Sequence, residues 1–347
     1  MAQGTRTWIE DLPEHVGEDV VLLGWVRHAR SSGKLHFLEI RDGTGTVQAV
    51  VKKGVASDAS LEAAAGVTIE STVLVHGAVK EHARREGEYE IGVAELRVLA
   101  PTVDDYPLGK KDHGTGFLMD VRHLWLRSTR PSAVLRIRAE IVRSCRAHLD
   151  GLGFVGVDAP ILSSAAAEGT ATLFPVEYYD TQVYLSQTGQ LHMEAAAQAL
   201  GRVYCFGPTF RAEKSKTRRH LTEFWMLEPE IAFAHLDDAM DLMESMVVAV
   251  IRSVLERCRP ELDSLERDVT KLEAAAATPF PRIAYDDALK QLEGTDAEIP
   301  WGEDFGAPQE DALSARHDTP VLVHRFPAAT KAFYMAPDPE RPEVALG

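Results

Sequence analysis

Arg211, Glu213, Phe224, Glu228 and Glu230 lie close together in the stretch Tyr204 to Phe233, YCFGPTFRAEKSKTRRHLTEFWMLEPEIAF. Period-2 alternation puts Thr209, Arg211 and Glu213 on one face of the first arm and Phe210 and Ala212 on the other. On the second arm Trp225, Leu227 and Ile231 share an apolar face, opposite Phe224, Met226, Glu228 and Glu230. One face is therefore core, and the other presents an arginine, three carboxylates and an aromatic ring. Between the arms, Lys214, Lys216, Arg218, Arg219 and His220 run without an acid until Glu223, in a chain of net charge −16. The natural ligand of such a loop is a polyanion. A solvated turn would explain the loop but not the Arg/Glu/Phe/Glu/Glu face.

The elements that must position these residues follow from the same pattern. Arms at Thr209–Glu213 and Thr222–Phe233 predict a hairpin whose loop exceeds the usual 2–5 residues, and long loops inside compact domains tend to be functional. Upstream, Tyr184 to Gly201 reads as a strand, a turn at Thr188-Gly189 and a helix from Gln190 to Gly201. Val134, Ile137, Ile141, Cys145 and Leu149 set a helix over Pro131–Asp150 that ends at Gly151. GFVGVDAPIL follows as a strand that Pro160 demotes to an edge or bulged position. Downstream, helices are expected over His235–Cys258, within Pro260–Thr278 and over PRIAYDDALKQLEG. TPVLVHRF and KAFYM are expected as strands.

The first hundred residues differ in pattern. VVLLGWVRHAR, LHFLEIRD, TVQAVVKK, STVLVHGAVKEH and EYEIGVAELRVL are short strands separated by Gly33, Asp42-Gly43, Gly45 and Glu86-Gly87, with a short helix near Leu61–Gly66. Five strands with a helix after the third describe an OB-type barrel, a fold that binds oligonucleotides across its second and third strands. Phe37 and Gln48 fall on those strands. A lone phenylalanine there is as readily a core aromatic.

Composition bounds the rest. The chain has 347 residues, enough for two cores, and its hydrophobic and charged contents, 45% and 26%, suit a soluble globular protein. Cys145, Cys205 and Cys258 are odd in number and far apart, which fits reduced core thiols in a cytoplasmic protein. No apolar run approaches membrane-span length. Net acidity argues against DNA coating but not against a specific RNA partner.

FRAE, RHLTEF and EPE resemble motif 2 of the class II aminoacyl-tRNA synthetases, in the aspartate/asparagine/lysine subgroup. GPTFRAEKSKTRRHLTEFWMLEPEIAF is most similar to the asparagine members. The resemblance implies that Arg211 holds the ATP α-phosphate and the amino-acid carboxylate, as the catalytic residue. By the same resemblance Glu213 meets the adenine amino group, Arg219, His220 and Leu221 line the nucleotide, and Phe224 stacks on adenine. EGTATLF resembles a loop that closes on the amino acid, with Glu168 at its α-ammonium. Gln187, Gln190, Glu228 and Glu230 are the further amino-acid candidates. Met193 stands where the aspartate enzymes have a lysine, and Glu228 where they have an aspartate, so both departures favour asparagine. GWVRHARSSGKLHFLEIRDGTGTVQ is similar to the subgroup's anticodon-binding barrel. There Phe37 would stack on the central anticodon base, Gln48 would bond its edge, Arg30 would face phosphates and Glu90 would offer a further base contact.

The implied fold is α+β: an OB-fold barrel over 1–100, a hinge over 101–128, and a class II antiparallel-sheet catalytic domain over 129–347. The implied function is ATP-dependent ligation of asparagine to tRNA(Asn), with ATP and Mg2+ as cofactors. A homodimer through the motif 1 helix and strand is also implied. No match to the family's motif 3 or its magnesium ligands precedes Gly347. The expectation is thus a catalytic domain whose C-terminal segment lies outside this chain, and no metal-ligating set is identifiable. An aspartyl enzyme of relaxed specificity, an asparagine synthetase related to the family, and a non-catalytic tRNA-binding protein are the alternatives.

Overall fold

The computed structural model describes residues 5–103, 106–109, 111–164, 173–214 and 220–347. Glu168 and Arg219, together with Lys216 and Arg218, lie outside them. The chain divides into two units, Met1–Asp120 and Val121–Gly347.

In the first unit the strands are β1 (Thr5–Arg6), β2 (Asp19–Ser32), β3 (Leu35–Arg41), β4 (Thr46–Lys52), β5 (Thr72–Glu81) and β6 (Tyr89–Ala100), with helix α1 (Asp58–Gly66) after β4. The order β1-β2-β3-β4-β6-β5 closes through a second pairing of β2 with β5, making the expected five-stranded barrel. Strand β2 serves two partners because it bends: Trp25 pairs with both Arg41 and Thr72, and the register slips between Val26 and His28. Gly24 permits the bend, since a Cβ there would stand 2.5 Å from the Arg41 carbonyl oxygen. Alternation sends Val20, Leu22, Val26, Leu38, Ile40, Val47, Ala49, Val51, Val73, Val75, Ile91 and Val93 into one continuous core. Each larger side chain there contributes about 1.5–3 kcal/mol by leaving water. A 3-10 turn over Ile9–His15 plugs one end with Ile9 and Leu12. It is tied down by Asp42, which accepts from the Ile9 amide at 2.6 Å and from the Thr44 amide at 2.8 Å. Ser60 anchors α1 to β6 by accepting from the Leu96 amide at 2.9 Å. Helix α2 (Thr115–Asp120) ends the unit. The expected hinge thus contains α2 and, at the start of the second unit, α3 (Arg122–Trp125).

The second unit is built around helix α4 (Thr129–Gly151) and the long helix α6 (Leu236–Arg257). Helix α4 extends past its expected stop: Gly151 is still helical, and the left-handed residue after it is Gly153, with φ 81°. Its apolar stripe is core at Ile137, which packs on Val254, Cys258 and Leu262, and at buried Cys145 and Leu149, while Val134, Leu135 and Ile141 are exposed. Strands β7 (Val155–Gly156) and β8 (Leu162–Ser163) flank Pro160, which splits the expected single strand. They are followed by β9 (Pro175–Tyr178), β10 (Thr181–Leu185), α5 (Gln190–Leu200), β11 (Arg202–Phe210) and β12 (Glu223–Ile231). The sheets are β12-β11-β7, with β7 parallel to β11, and β8-β10-β9. Tyr204, Phe206, Leu227 and Ile231 pack the hairpin on Leu149, Leu242 and Met246 of α4 and α6. The opposite face carries α5 through Met193 and Ala197 on Val203 and Cys205.

Between α4 and α6, Glu140 bonds Arg143 and Ser253. Mainly the Arg143 hydrogen bond holds its carboxyl down at about 2. The helix α6 start is capped by Asp238, which accepts from the His235 amide at 2.8 Å.

Helices α7 (Arg259–Ser264) and α8 (Thr270–Ala277) follow, then β13 (Arg282–Ala284), α9 (Tyr285–Leu292), α10 (Ala307–Ser314) and β14 (Leu322–His324). Strands β13 and β14 pair in parallel, so the segment read as one helix from Pro281 opens with a strand. Buried Tyr285 stacks on Phe305 and meets Phe326, with ring centroids 5.1 and 5.3 Å away. KAFYM is not a strand. Lys331 is held by Asp304 at 3.0 Å and lies over the Phe326 ring at 4.0 Å, and the Met335 amide turns back to the Ala332 carbonyl. Among the described residues no helix is long and apolar enough to cross a membrane.

Candidate functional site

The hairpin register builds the first site. Cys205 lies opposite Glu228, Val203 opposite Glu230, and Thr209 opposite Phe224. Strand β11 begins at Arg202, further back than the expected Thr209, and ends at Phe210, while β12 lies inside its expected arm as Glu223–Ile231, so Arg211 and Glu213 lie beyond the paired strands. Arg211 is nevertheless placed by the hairpin, because its amide donates to the Thr222 carbonyl at 3.0 Å. Its guanidinium stands 5.5 Å from the centre of the Phe224 ring. Among the described residues it has no carboxylate partner. Glu213, His220 and Leu221 are exposed on the described ends of the loop.

Four residues along β12, about 13 Å at strand rise, Glu228 is anchored. One of its oxygens accepts from the Thr188 hydroxyl, and the other from the Gly189 amide at 2.9 Å and the Cys205 thiol at 3.4 Å. Sequence reading placed Glu228 on an open ligand face. In the fold it also latches the Thr188 turn onto the sheet. The approach demands glycine, since a Cβ on Gly189 would sit 2.3 Å from the Cys205 sulfur. Burial, and then the Glu228 carboxylate, push the Cys205 thiol up to about 12. Burial, with Glu194 and Glu228 nearby, also raises the Glu230 carboxyl above its usual value.

Helix α5 brings Gln190 to the same end. Its amide donates to Glu194 at 2.9 Å and accepts from the Tyr334 hydroxyl at 3.5 Å. Gln187 is buried in the turn before it, where the Ser186 hydroxyl donates to the Thr188 carbonyl at 2.6 Å. Met193 is fully buried against Val203 and Cys205 and serves the core rather than the cleft. A cleft of ≈ 250 Å³ opens beside β11, lined in part by Asp158, Ser186, Thr188, Thr209 and Glu228. Sequence reading missed Tyr334: its aromatic run was legible, but the turn that carries it to Gln190 was not. Among the described residues no cluster of three His, Cys, Asp or Glu side chains is placed to hold a metal.

The second site is the outer face of the barrel. The register sets Arg30 beside Phe37, Glu39 beside Gln48, and Gln48 beside Glu90. The Arg30 guanidinium covers the Phe37 ring at 4.6 Å. It also donates to Gln48 Oε1 at 3.2 Å, and Gln48 Nε2 donates to Glu90 at 3.4 Å. All four expected residues are thus adjacent, and Arg30, Phe37 and Gln48 line a cleft of ≈ 780 Å³ together with His28, Glu39 and Tyr89. Lys80 went unnoticed. It sits across from Glu90, and its amine reaches over Gly92, where a Cβ would meet it at 3.2 Å. Only the β5–β6 register reveals this.

Comparison with known proteins gives these sites a family. Residues 115–346 match the family described as tRNA synthetases class II (D, K and N), and residues 20–99 match the OB-fold nucleic acid binding domain of anticodon-binding type. The asparagine–tRNA ligase of Sorangium cellulosum is 55% identical over 97% of this chain and 78% of its own length. That of Chloroflexus aurantiacus is 51% identical with the same coverage. The solved asparaginyl-tRNA synthetase of Pyrococcus horikoshii, complexed with asparaginyl-adenylate, superposes with a TM-score of 0.92 at 39% identity, over 99% of this chain and 79% of that one. A barrel of this type, a class II catalytic fold and identities of this level across nearly the whole chain lead to one assignment: the chain belongs to the class II aminoacyl-tRNA synthetases of the aspartate, lysine and asparagine group, among the asparagine–tRNA ligases.

Proposed function

We propose that the chain ligates asparagine to tRNA(Asn) at the expense of ATP, through an asparaginyl-adenylate. The observation that carries this reading is the hairpin face with Arg211 over Phe224 at one end and Glu228 and Glu230 at the other, where the Thr188 turn brings in Gln190 from α5. A nucleotide and an amino acid can lie along it with their reacting groups meeting near Arg211. The asparagine carboxylate attacks the ATP α-phosphorus, the bond to the bridging oxygen breaks, and pyrophosphate leaves. The guanidinium stabilises the charge that builds on the phosphoryl oxygens, and positioning does the rest. A terminal ribose hydroxyl of the tRNA then attacks the adenylate carbonyl and releases AMP. Glu168, Glu213, Arg219, His220 and Leu221 complete the substrate contacts in this reading. Magnesium accompanies ATP in the family, but the donor set among the described residues offers it no site, and no step is assigned to it.

The electrostatics favour asparagine over aspartate. Burial first, and then the neighbouring Glu194 and Glu228 carboxylates, raise the Glu230 carboxyl, so three carboxyl groups share this end of the face. A side-chain carboxylate brought there would be repelled, whereas a carboxamide N–H can donate to it. The barrel, over 1–100, takes the anticodon with Phe37, Gln48, Arg30 and Glu90, and residues 101–128 join it to the catalytic part, 129–347. Exposed Val134, Leu135 and Ile141 on α4 suit the homodimer, and the free buried thiols suit a cytoplasmic location.

Calorimetry with non-hydrolysable asparaginyl- and aspartyl-adenylate analogues tests this, beside asparagine-dependent ATP–pyrophosphate exchange. The asparaginyl analogue is expected to bind at least about 100-fold more tightly, since a site built to hydrogen-bond a substrate group rejects the wrong group more strongly than an apolar pocket does. Equal binding of the two would end the asparagine reading.

A further inference from the structure

The Glu228 carboxylate is held by more bonds than a latch requires, and their directions are fixed. Its Oε2 accepts from the Gly189 amide at 2.9 Å and the Cys205 thiol at 3.4 Å, and its Oε1 accepts from the Thr188 hydroxyl. A carboxylate has about four acceptor positions, two on each oxygen. Counted over the described residues, both positions on Oε2 are filled and a single one on Oε1 remains. Glu228 and Thr188 both line the ≈ 250 Å³ cleft beside β11. The Thr188 hydroxyl has one proton and cannot turn it elsewhere. Its oxygen accepts from the Gln190 amide at 3.0 Å, and rotating the proton away would set two acceptor oxygens against each other. The turn itself is secured without this hydroxyl. The Ser186 hydroxyl donates to the Thr188 carbonyl at 2.6 Å, the Phe210 amide donates to the Ser186 carbonyl at 2.8 Å, and the His192 and Met193 amides donate to the Gly189 carbonyl at 3.0 Å.

We infer that Thr188 is a positioning residue: its hydroxyl holds the Glu228 carboxylate in the one orientation that presents the remaining acceptor to the side-chain carboxamide of the substrate. The inference rests on the proposed asparagine reading, in which Glu228 is an amino-acid contact. Without the hydroxyl the carboxylate is tied at Oε2 alone, Oε1 gains a second open position, and the group can pivot. A contact that must be ordered at the moment of binding is weaker than one already in place. Thr188 acts through Glu228, so its loss should weaken only those substrates that carry the carboxamide. A fault in the turn would instead weaken every amino-acid ligand alike, through Gln190 and the start of α5.

The test measures, by calorimetry on the whole chain, the affinities for two non-hydrolysable adenylate analogues, asparaginyl and alanyl, which differ only in the carboxamide. The unaltered chain is expected to prefer the asparaginyl analogue by roughly tenfold or more, the scale of a hydrogen bond to a charged group. Thr188→Val, which keeps the shape and removes the donor, should bring the two affinities within roughly threefold while leaving alanyl binding where it was. Thr188→Ala should give the same ratio, and Thr188→Ser, which restores the hydroxyl, should keep the original one. If Thr188→Val and Thr188→Ala keep the original ratio while Glu228→Gln loses it, the positioning role is overturned and the asparagine reading stands. If they weaken both analogues by the same factor, Thr188 serves only the turn, and the positioning role is again overturned. If the unaltered chain binds the two analogues equally, the asparagine reading falls and the positioning role with it.

Discussion

The barrel and the hairpin unit solve the placing of a site in opposite ways. In the barrel, one continuous core fills the inner faces of β2 to β6, and Arg30, Phe37, Gln48 and Glu90 stand on the outer face of the same strands. Core and site are separated by alternation alone. In the second unit the core is divided among smaller clusters, and one of them, Met193 with Val203 and Cys205, sits directly behind Glu228. Site and core share residues there. A barrel-face substitution should therefore cost binding without stability, and a hairpin-face substitution should cost both.

Met193→Lys should have the largest effect. It sets the residue found in the aspartate enzymes into a fully buried position, where the cost of an uncompensated ammonium is about 5 kcal/mol. Hydrogen exchange should show α5 and β11 losing protection while the barrel strands keep theirs. The loss should shrink as pH rises, because the unfolded chain binds the proton that the folded one refuses. Protection unchanged in α5 would break the comparison.

Glu228→Ala comes next, leaving the Thr188 hydroxyl and the Gly189 amide without their acceptor, at about 2 kcal/mol. Denaturant titration should detect it, and amino-acid binding should weaken in the same variant. Stability that survives while binding is lost would place Glu228 outside the core after all. Phe37→Ala should show the converse: unfolding within about 1 kcal/mol of the original chain, with RNA-hairpin affinity lower by about tenfold from the lost stacking. A large stability loss there would show that the barrel's site and core are not separate.

The smallest expected effect is at low pH. The Glu140 carboxyl is held down at about 2 against 4.5 unfolded, so its contribution is complete above pH 4.5 and fades as the pH falls toward 2. Glu140→Gln should flatten that part of the acid-unfolding curve.

Legibility followed the same division. Each barrel strand ended within two residues of its expected limits, because inward valines and isoleucines alternate with polar residues and glycines mark the turns. Phe37 and Gln48 could be placed together from sequence because register alone joins them. The Gln190 end of the hairpin site needed more. The latch between Glu228 and Gly189, and the turn that brings Tyr334 to Gln190, join residues far apart in sequence, and no local period encodes them. KAFYM has the aromatic content of a strand, yet the ties of Lys331 to Asp304 and Phe326 override that propensity. Pro160 was expected only to push its strand to an edge or a bulge, and in the fold it divides that strand into β7 and β8; its missing N–H is a local fact, but how far it disrupts pairing is not.

The Cys205 thiol also makes the cleft a timepiece. With its ionisation pushed up to about 12, it has almost no thiolate to offer an alkylating reagent near neutral pH. Its sulfur is covered by the Gly189 backbone and by α5. Labelling of Cys205 must therefore wait for the Thr188 turn to lift from the sheet. The rate at which a thiol reagent reaches it counts those openings, and an amino-acid ligand seated in the cleft should slow the count.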